Sequence, residues 1–429
     1  MHIRPVSNFR GEIKLPGDKS ISHRYAILGS MANGITRIKN FSDSHDCHST
    51  LNCLKKIGVR ILRNKEGIEI ISRGWENFSQ PCETLNAENS GTTLRLLSAL
   101  LASSPFTSKI RGDSSLNRRP MNRIVAPLRK MGARIQAHKG TCPPLLITGS
   151  QLRGINYRMP VASAQVKSCL LLAGLMAKGQ TVIKEETPTR DHTEKALSFF
   201  GADFQQATSL LTVSGPASLK PTNMIIPGDF SSAAFFITAA LLIPNSRLRL
   251  QKVGVNSTRS TLLDLIEQSG GRVKRTKLKT FNAEPYCDLT VSFSPETLRR
   301  FPHQIKGDLI PKLIDEIPIL AILGLGLSKG LTVRDAKELR KKESDRIHSI
   351  VVNFRQLGVK IEEYPDGFHL PPGQKIRGGK IQTFGDHRVA MAFAIAGTIS
   401  KTPVEIDDPS SVSISFPNFF KALQSLSLG

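Results

Sequence analysis

The alternation of polar and apolar residues follows one unit that recurs about every 70 residues along the chain. In each unit a polar cap precedes a helix rich in Ala, Leu and Ile, and these six caps are Ser20, Asn89, Ser163, Asp229, Asp315 and Asp386. A turn of small residues then leads into a β-type run, and these runs are 35–38, 107–110, 181–183, 247–250, 331–333 and 404–406. Each of these helices is apolar nearly all round, which predicts that it is buried.

A second helix follows in each unit and ends at a glycine that leads into another strand. These glycines are Gly58, Gly132, Gly201, Gly270 and Gly358, and the sixth copy reaches the corresponding position at Gly429. Two independent landmarks thus keep the same period. The pattern predicts an α/β fold of six βαβαββ repeats around buried helices.

Two N-terminal strands, within 2–6 and 11–15, precede the first repeat, and we expect them to complete the sixth. Three repeats then form a domain of residues 16–227, and the other three form a domain of residues 1–15 and 228–429. Twin Pro-Gly turns at 16–17 and 227–228 predict a two-strand hinge between the domains. We expect the buried helices to direct their positive ends to a cleft where the domains meet.

The chain carries 59 Lys and Arg residues against 35 Asp and Glu residues, a formal charge of +24. This charge suits nucleic acid or small acidic substrates. The cations are dispersed, and one Trp and four Tyr offer little for base stacking, so small anions are favoured.

The six cysteines lack a disulfide or C-x-x-C spacing, and residues 1–14 lack the apolar segment of a signal peptide. We therefore expect a cytoplasmic protein.

The segment 15–25, L-P-G-D-K-S-I-S-H-R-Y, combines a turn, a helix start and two cations, Lys19 and Arg24. The start of a helix offers unpaired N–H groups and the positive end of its dipole, so this segment predicts an anion site. Nearly the same turn returns at 226–233 as I-P-G-D-F-S-S-A.

Other polar motifs recur at the landmarks of the repeat. Taken singly, each is as readily a helix cap or a solvated surface as a functional site. Taken together, they predict chemistry on multiply anionic substrates without a covalent enzyme nucleophile, with Asp315 and Glu343 as acid and base candidates. The cations of this set are Lys19, Arg24, Arg119, Arg190, Lys342, Arg346 and Arg388.

Several other chemistries find no motif in the sequence. The chain lacks a G-x-x-x-x-G-K-[ST] loop and a G-x-S-x-G elbow, and no G-x-G-x-x-G follows a strand. His45, Cys47 and His48 are metal-ligand types, but no second cluster at ligand spacing accompanies them.

The motifs L-P-G-D-K-S-I-S-H-R, N-S-G-T, N-R-R-P-M, A-S-A-Q-V-K-S, T-R-D-H-T-E-K, I-D-E-I-P, L-R-K-K-E-S-D-R and G-D-H-R resemble, in order, those of the EPSP synthase family. The S-A-Q and D-H-T-E-K forms are closer to its class II bacterial branch. The resemblance implies two domains of three repeats and transfer of the enolpyruvyl group of phosphoenolpyruvate to the 5-hydroxyl of shikimate 3-phosphate. It also implies a tetrahedral intermediate, release of phosphate, a place in aromatic amino acid biosynthesis, and neither metal nor organic cofactor.

The resemblance also assigns roles residue by residue. It implies catalytic roles for Asp315, Glu343 and Lys19. It implies shikimate 3-phosphate ligands at Lys19, Ser20, Arg24, Ser163, Gln165, Arg190, Asp315 and Lys342. It implies phosphoenolpyruvate ligands at Lys19, Gly91, Arg119, Gln165, Arg346 and Arg388.

One departure from the family pattern and two rival interpretations remain. Ile414 stands where many relatives carry a lysine, which leaves the number of phosphate ligands open. The sister enolpyruvyl transferase acting on UDP-N-acetylglucosamine places a reactive cysteine in the segment that corresponds to 111–120, and this chain has none there. A basic nucleic-acid-binding protein is the rival of another class, and a catalytically silent scaffold is the least favoured. We expect a monomer that acts on small molecules, without nucleic acid or membrane partners.

Overall fold

The computed structural model describes residues 1–427, so Leu428 and Gly429, the end of the predicted second domain, lie outside the described residues. Within that range the α-helices, α1 to α14 in chain order, are Lys19–Met31, His45–Lys56, Gly91–Ser103, Asn122–Lys130, Ala164–Met176, His192–Phe199, Phe230–Leu242, Thr261–Gln268, Pro295–Arg300, Leu309–Leu313, Ile317–Gly324, Arg346–Gln356, His387–Thr398 and Phe419–Ser427. The strands β1 to β23 are His2–Ile3, Arg10–Lys14, Asn33–Lys39, Arg60–Arg63, Gly67–Arg73, Leu85–Asn86, Thr107–Arg111, Arg134–His138, Cys142–Thr148, Asn156–Arg158, Gly179–Lys184, Phe204–Ala207, Leu210–Gly215, Asn223–Ile225, Arg247–Gly254, Val273–Phe281, Glu284–Ser292, Gln304–Ile305, Leu331–Val333, Glu362–Tyr364, Gly367–Leu370, Gly379–Ile381 and Val404–Ile406.

Short polar side chains start most of the buried helices. The side chain of Asp18 accepts a hydrogen bond from the Ile21 N–H at the start of α1, and Ser163 and Asp229 cap α5 and α7 in the same way. The first cap is Asp18 rather than the predicted Ser20, and the second is Ser90 rather than the predicted Asn89. The buried helix of the fifth repeat, α11, begins after Glu316. The prediction that Asp315 is its cap is therefore wrong.

Each full repeat builds a four-stranded sheet in which a parallel edge strand is followed by an antiparallel hairpin. In the third repeat β11 pairs in parallel with β10 and antiparallel with β13, which in turn pairs with β12. The second and fifth repeats follow the same order, as β6-β7-β9-β8 and β18-β19-β21-β20.

Two parallel edge strands pair with a distant repeat rather than with the repeat that follows them in the chain. Strand β2 directly precedes α1, yet it pairs with β15 of the fourth repeat, with Ile13 opposite Leu250. Strand β14 directly precedes α7, yet it pairs with β3 of the first repeat, with Met224 opposite Ile38. The expectation that both N-terminal strands complete the sixth repeat is therefore wrong for β2. Only β1 does so, by pairing with β23 in a three-stranded sheet.

The described chain divides into two compact units. Unit 1 comprises Met1–Pro16, Pro227–Thr280 and the described chain from Pro285 onward, and unit 2 comprises Gly17–Ile226 and Phe281–Glu284. Unit 2 therefore includes the tip of the β16–β17 hairpin, which no pattern in the sequence separates from its strands. At this tip the Asn282 side chain accepts a hydrogen bond from the Ile225 N–H at 3.0 Å, and Glu284 Oε1 lies 2.7 Å from His192 Nδ1.

Each unit has its own hydrophobic core around three of the buried helices. Helices α1, α3 and α5 lie in the core of unit 2, and α7, α11 and α13 pack on one another in unit 1. In unit 1 the ring of Phe419 packs against Phe235 and Phe236 at centroid distances of 5.8 and 5.7 Å. Among residues 1–427, no helix has both the length and the apolar character needed to cross a bilayer.

Candidate active site

In unit 1 the carboxylate of Asp315 lies near three cations. Its Oδ1 is 3.8 Å from Lys342 Nζ and 3.5 Å from Arg346 Nη1, and its Oδ2 is 3.8 Å from Arg388 Nη2. The Asp315 side chain keeps 15% of its surface exposed. The Asp315 carboxylate therefore lies within 3.8 Å of three cations, beside the start of α11.

Arg346 is the most deeply buried cation of this cluster, with 1% of its side chain exposed. Its Nε donates to Asp386 Oδ2 at 2.7 Å and its Nη2 donates to Glu343 Oε2 at 2.6 Å. Burial by itself lowers the pKa of Arg346, but the charges of Asp386 and Glu343 outweigh it and raise the pKa above its ordinary value. Burial alone would raise the pKa of Asp386, and Arg346 nonetheless holds that pKa below its ordinary value. Both groups are therefore charged at neutral pH.

Arg388 lies in the first turn of α13 and points back to the start of α11. Its Nη1 donates to the carbonyl oxygen of Asp315 at 2.8 Å and to Ser231 Oγ at 3.0 Å. The Asp386 side chain accepts from the Arg388 N–H at 2.9 Å and so fixes the turn that carries it. Arg388 and Asp315 are thereby held together by backbone as well as by charge.

In unit 2 Lys19, a residue of the predicted anion site, lies at the start of α1. Lys19 Nζ donates to Asp46 Oδ2 at 2.8 Å, and Asp46 lies in the first turn of α2. The Lys19 and Asp46 side chains are 15% and 11% exposed. This pairing orients the lysine, and sequence reasoning missed Asp46.

Arg24 is buried one turn further along α1. Its guanidinium donates to Thr193 Oγ1 at 2.7 Å, to the Ser20 carbonyl oxygen at 2.8 Å and to Ser168 Oγ at 2.8 Å. Burial lowers the pKa of Arg24 to about 10, with the Glu194 charge opposing this and the Arg190 charge adding to it. These three hydrogen-bond partners are neutral, so they fix the guanidinium without cancelling its charge.

Gly91 and Arg119 meet at the start of α3. A Cβ atom on Gly91 would lie 3.6 Å from Arg119 Nη1, and the Arg119 side chain is buried. The loop before Arg119 is tied by Asn117, whose side chain accepts from the Gly112 N–H and donates to the Gly112 carbonyl oxygen, each at 2.9 Å. The structure therefore brings these two predicted phosphoenolpyruvate ligands together.

Gln165 lies in the first turn of α5, next to the Ser163 cap. Its Oε1 accepts from Arg95 Nη1 at 2.8 Å and its Nε2 donates to Thr92 Oγ1 at 2.9 Å. A cavity of about 370 Å³ is lined by residues 158–162 and 185–187, the segments that lead to Ser163 and Arg190. Arg190 itself is half-buried.

The family model for EPSP synthase (3-phosphoshikimate 1-carboxyvinyltransferase) matches residues 3–423. The chain belongs to the EPSP synthase family. Its relatives include 3-phosphoshikimate 1-carboxyvinyltransferases of Solibacter usitatus, 46% identical with 98% of both chains covered, and of Petrotoga mobilis, 46% identical with 99% of both chains covered. The predictions of family and enzyme class are confirmed.

Solved structures agree with this assignment to the EPSP synthase family. EPSP synthase from Acinetobacter baumannii is 37% identical and superposes with a TM-score of 0.84 over 99% of this chain and 97% of that one. The enolpyruvyl transferase NikO from Streptomyces tendae superposes with a TM-score of 0.80 over 99% and 96% of the two chains, and at 16% identity it shows the fold alone. The predicted two-domain enolpyruvyl transferase fold is confirmed, and the predicted activity follows the family.

Several residues that lie next to the predicted ligands were not themselves predicted. In unit 2 they are Asp46, Thr92 and Arg95, and in unit 1 they are Ser231, Arg259 and Glu316. Arg95 follows Gly91 by one helical turn, and this spacing was the one available signal for it. Ile414, at the departure from the family pattern, is half-buried at the end of a 3₁₀ turn, Pro409–Ile414.

The cluster S-H-D-C-H-S is used differently from a metal site. Burial raises the pKa of the Cys47 thiol to about 12, and its Sγ donates to the Lys19 carbonyl oxygen at 3.7 Å. A thiol with so high a pKa is a poor metal ligand. Within the described chain, no group of three or more His, Cys, Asp or Glu side chains is placed to hold a metal ion.

Proposed function

We propose that this chain transfers the enolpyruvyl group by addition and elimination, with Asp315 as the base that accepts the 5-hydroxyl proton of shikimate 3-phosphate. The observation that carries the proposal is the Asp315 carboxylate surrounded by Lys342, Arg346 and Arg388. A carboxylate in this setting accepts a proton while the cations stay charged.

In the addition step the 5-hydroxyl oxygen bonds to C2 of phosphoenolpyruvate, and its proton passes to Asp315. The methylene carbon C3 takes a proton at the same stage, and we propose that the Glu343 carboxylate relays this proton from solvent. Glu343 is held by Arg346, which itself carries a buried positive charge. The product of the step is a tetrahedral intermediate that is not bonded to the protein.

In the elimination step the bond between C2 and the phosphate oxygen breaks and phosphate leaves. A proton passes from C3 back to Glu343, so the enol ether double bond forms again, and the proton held by Asp315 passes to the leaving phosphate. Arginine and lysine side chains offset the charge that develops on the leaving phosphate. We assign Arg119, Arg346 and Arg388 to phosphoenolpyruvate, together with Gly91, which lies beside Arg119 at the start of α3.

The binding of shikimate 3-phosphate is assigned to the anion site of unit 2 and to Asp315 with Lys342. Arg24 supports the assignment because neutral partners hold its guanidinium in place beside Ser20, another proposed ligand. The remaining ligands that we propose for the two substrates are Lys19, Ser20, Ser163, Gln165 and Arg190.

Phosphate release tests the proposal. Purified protein is mixed with phosphoenolpyruvate and either shikimate 3-phosphate or UDP-N-acetylglucosamine, alongside the variant Asp315→Asn and the control Asp264→Asn. Asp264 pairs with Arg275 on an exposed face of α8. The proposal is supported if phosphate is released with shikimate 3-phosphate but not with UDP-N-acetylglucosamine. This release should be lost in Asp315→Asn and kept in Asp264→Asn. Release in Asp315→Asn at the wild-type rate would assign the base elsewhere.

We also propose that the protein acts as a monomer in the cytoplasm, on small molecules and without nucleic acid. The dispersed cations and the family support this. Light scattering of the purified chain should give a mass near 47.0 kDa. Retention of DNA or RNA at moderate salt would contradict the exclusion of nucleic acid.

A further inference from the structure

Behind Arg388 lies a buried group of three side chains in unit 1 that the reaction does not use directly. Ser231 is in the first turn of α7, Arg259 lies in the turn between β15 and α8, and Glu316 precedes α11. The Arg259 and Glu316 side chains are 4% and 1% exposed. Three separate segments therefore direct polar groups to one buried point.

Ser231 is at the centre of this group. Its hydroxyl donates to Glu316 Oε1 at 2.6 Å, and it accepts from Arg388 Nη1 at 3.0 Å and from Arg259 Nη2. One donor and two lone pairs are all that a serine hydroxyl has, so this hydroxyl is fully used. Rotation of the Arg388 guanidinium would break one of these bonds.

Arg259 and Glu316 form a buried ion pair next to this hydroxyl. Arg259 Nη1 donates to Glu316 Oε2 at 2.8 Å, and the Arg259 guanidinium lies 5.9 Å from the ring centroid of Phe230. Arg388 Nη1 is 3.8 Å from Glu316 Oε1, beyond hydrogen-bond distance. Glu316 thus has Arg259 as its cationic partner at hydrogen-bond distance, and Arg388 is the next cation.

We propose that Ser231, Arg259 and Glu316 are positioning residues that hold Arg388 and keep its charge available for phosphoenolpyruvate. This inference rests on the proposed role of Arg388 as a phosphoenolpyruvate ligand. Arg259 neutralises Glu316. Without Arg259, the buried Glu316 carboxylate attracts Arg388, because an unpaired buried charge is costly. Arg388 then turns from the substrate to Glu316.

The test compares four proteins by steady-state kinetics: wild type, Arg259→Gln, Glu316→Gln and the double variant. Loss of one charge-assisted hydrogen bond corresponds to about a tenfold to hundredfold change in affinity. We expect Arg259→Gln to raise the KM for phosphoenolpyruvate by this amount, and to change the KM for shikimate 3-phosphate by less than about twofold. The double variant should recover about tenfold of the loss, because the amide that replaces the Glu316 carboxylate carries no charge to attract Arg388.

Two further variants separate positioning from folding. Ser231→Ala removes only the hydroxyl and should raise the same KM, and Arg249→Gln changes a half-exposed arginine on β15 and should leave it unchanged. Equal rises in both KM values, a double variant as impaired as Arg259→Gln, or a KM for phosphoenolpyruvate within twofold of wild type in both Arg259→Gln and Ser231→Ala would overturn the inference. A wild-type protein that releases no phosphate would overturn the proposed function itself and, with it, this inference.

Discussion

The guanidinium of Arg95 occupies the space where a side chain on Gly91 would lie. A Cβ atom built on Gly91 would be 2.6 Å from Arg95 Nη1, closer than carbon atoms approach such groups in proteins. Arg95 Nη1 in turn donates to Gln165 Oε1 at 2.8 Å. A side chain at residue 91 would therefore have to displace the end of the Arg95 side chain, which carries the bond to Gln165.

The substitution Gly91→Ala should weaken phosphoenolpyruvate binding. The new methyl group displaces the Arg95 guanidinium and breaks its bond to Gln165, which costs about 1.5–3 kcal/mol. We expect the KM for phosphoenolpyruvate to rise about tenfold or more, with a smaller change in kcat. Steady-state kinetics at saturating shikimate 3-phosphate measure both.

The variant Arg95→Ala is the control for this mechanism, since it removes the atom that the methyl group meets. In the Arg95→Ala background, the further change Gly91→Ala should alter the KM by less than about twofold, because the remaining contact at 3.6 Å to Arg119 is an ordinary one. Full additivity of the two substitutions would show that the methyl group acts through another contact.

Lys167 is a buried cation between two carboxylates in unit 2, and its removal should destabilise that unit. Lys167 Nζ is 2.8 Å from Glu185 Oε2 and 2.6 Å from Glu194 Oε1, with 1% of the lysine side chain exposed. Lys167→Met leaves two buried carboxylates without their cation, which should cost about 3–5 kcal/mol of unfolding free energy. Fluorescence of Trp75, the single tryptophan, follows urea unfolding of this unit.

The same variant should also raise the KM for shikimate 3-phosphate, because Glu185 accepts from the Thr189 N–H next to Arg190. Lys184→Met is the matched control. Lys184 pairs with Glu186 on the surface, with 47% of each side chain exposed, and its loss should cost less than about 1 kcal/mol. Similar unfolding curves for the two variants would contradict the importance of burial.

Local features of the structure could be predicted from the sequence because they depend on neighbouring residues. Ser163, Asp229 and Asp386 cap their helices as predicted, since a short polar side chain before an apolar helix meets its own backbone N–H groups. The six repeats could be predicted for the same reason, because each is marked by a helix cap and a glycine that depend on neighbouring residues.

Features that depend on distant residues could not be predicted. The exchange of β2 and β14 between sheets leaves no mark on the period, because each strand is followed by the same Pro-Gly-Asp turn. Asp46 lies in a motif whose histidines and cysteine suggested a metal, whereas its carboxylate pairs with Lys19. Arg259 lies in a turn without periodicity, and its partner Glu316 is 57 residues away.

His23 predicts how the stability of unit 2 depends on pH. Burial lowers the pKa of His23 well below 6.5, and the charges of Lys19 and Arg24 lower it further. The unfolded chain therefore binds a proton at this histidine more readily than the folded chain does. The stabilisation is present above pH 6.5 and is lost as the pH falls below it, by up to about 1.4 kcal/mol per pH unit.

The variant His23→Gln should remove this contribution, so its unfolding free energy should fall less between about pH 6.5 and 5. Urea unfolding followed by Trp75 fluorescence at each pH gives the two slopes. His303→Gln, at an exposed position in unit 1, is the control and should keep the wild-type slope. Parallel slopes for His23→Gln and wild type would show that other groups determine the dependence.

Asp386 should stabilise unit 1 and should also hold Arg346 in the orientation that binds phosphoenolpyruvate. The carboxylate is fully buried and takes the Arg346 Nε bond at 2.7 Å, and it also caps α13. Asp386→Asn leaves Arg346 with a neutral partner in a buried place, which should cost about 3–5 kcal/mol of unfolding free energy. Calorimetry measures the loss, and kinetics should show a raised KM for phosphoenolpyruvate because Arg346 is no longer fixed.

Glu405→Gln, which breaks a half-exposed pair with Lys380 in the same unit, should cost less than about 1 kcal/mol. If Asp386→Asn lost stability but kept the wild-type KM, Asp386 would serve the fold alone, and the orientation of Arg346 would depend on Glu343 and Asp315.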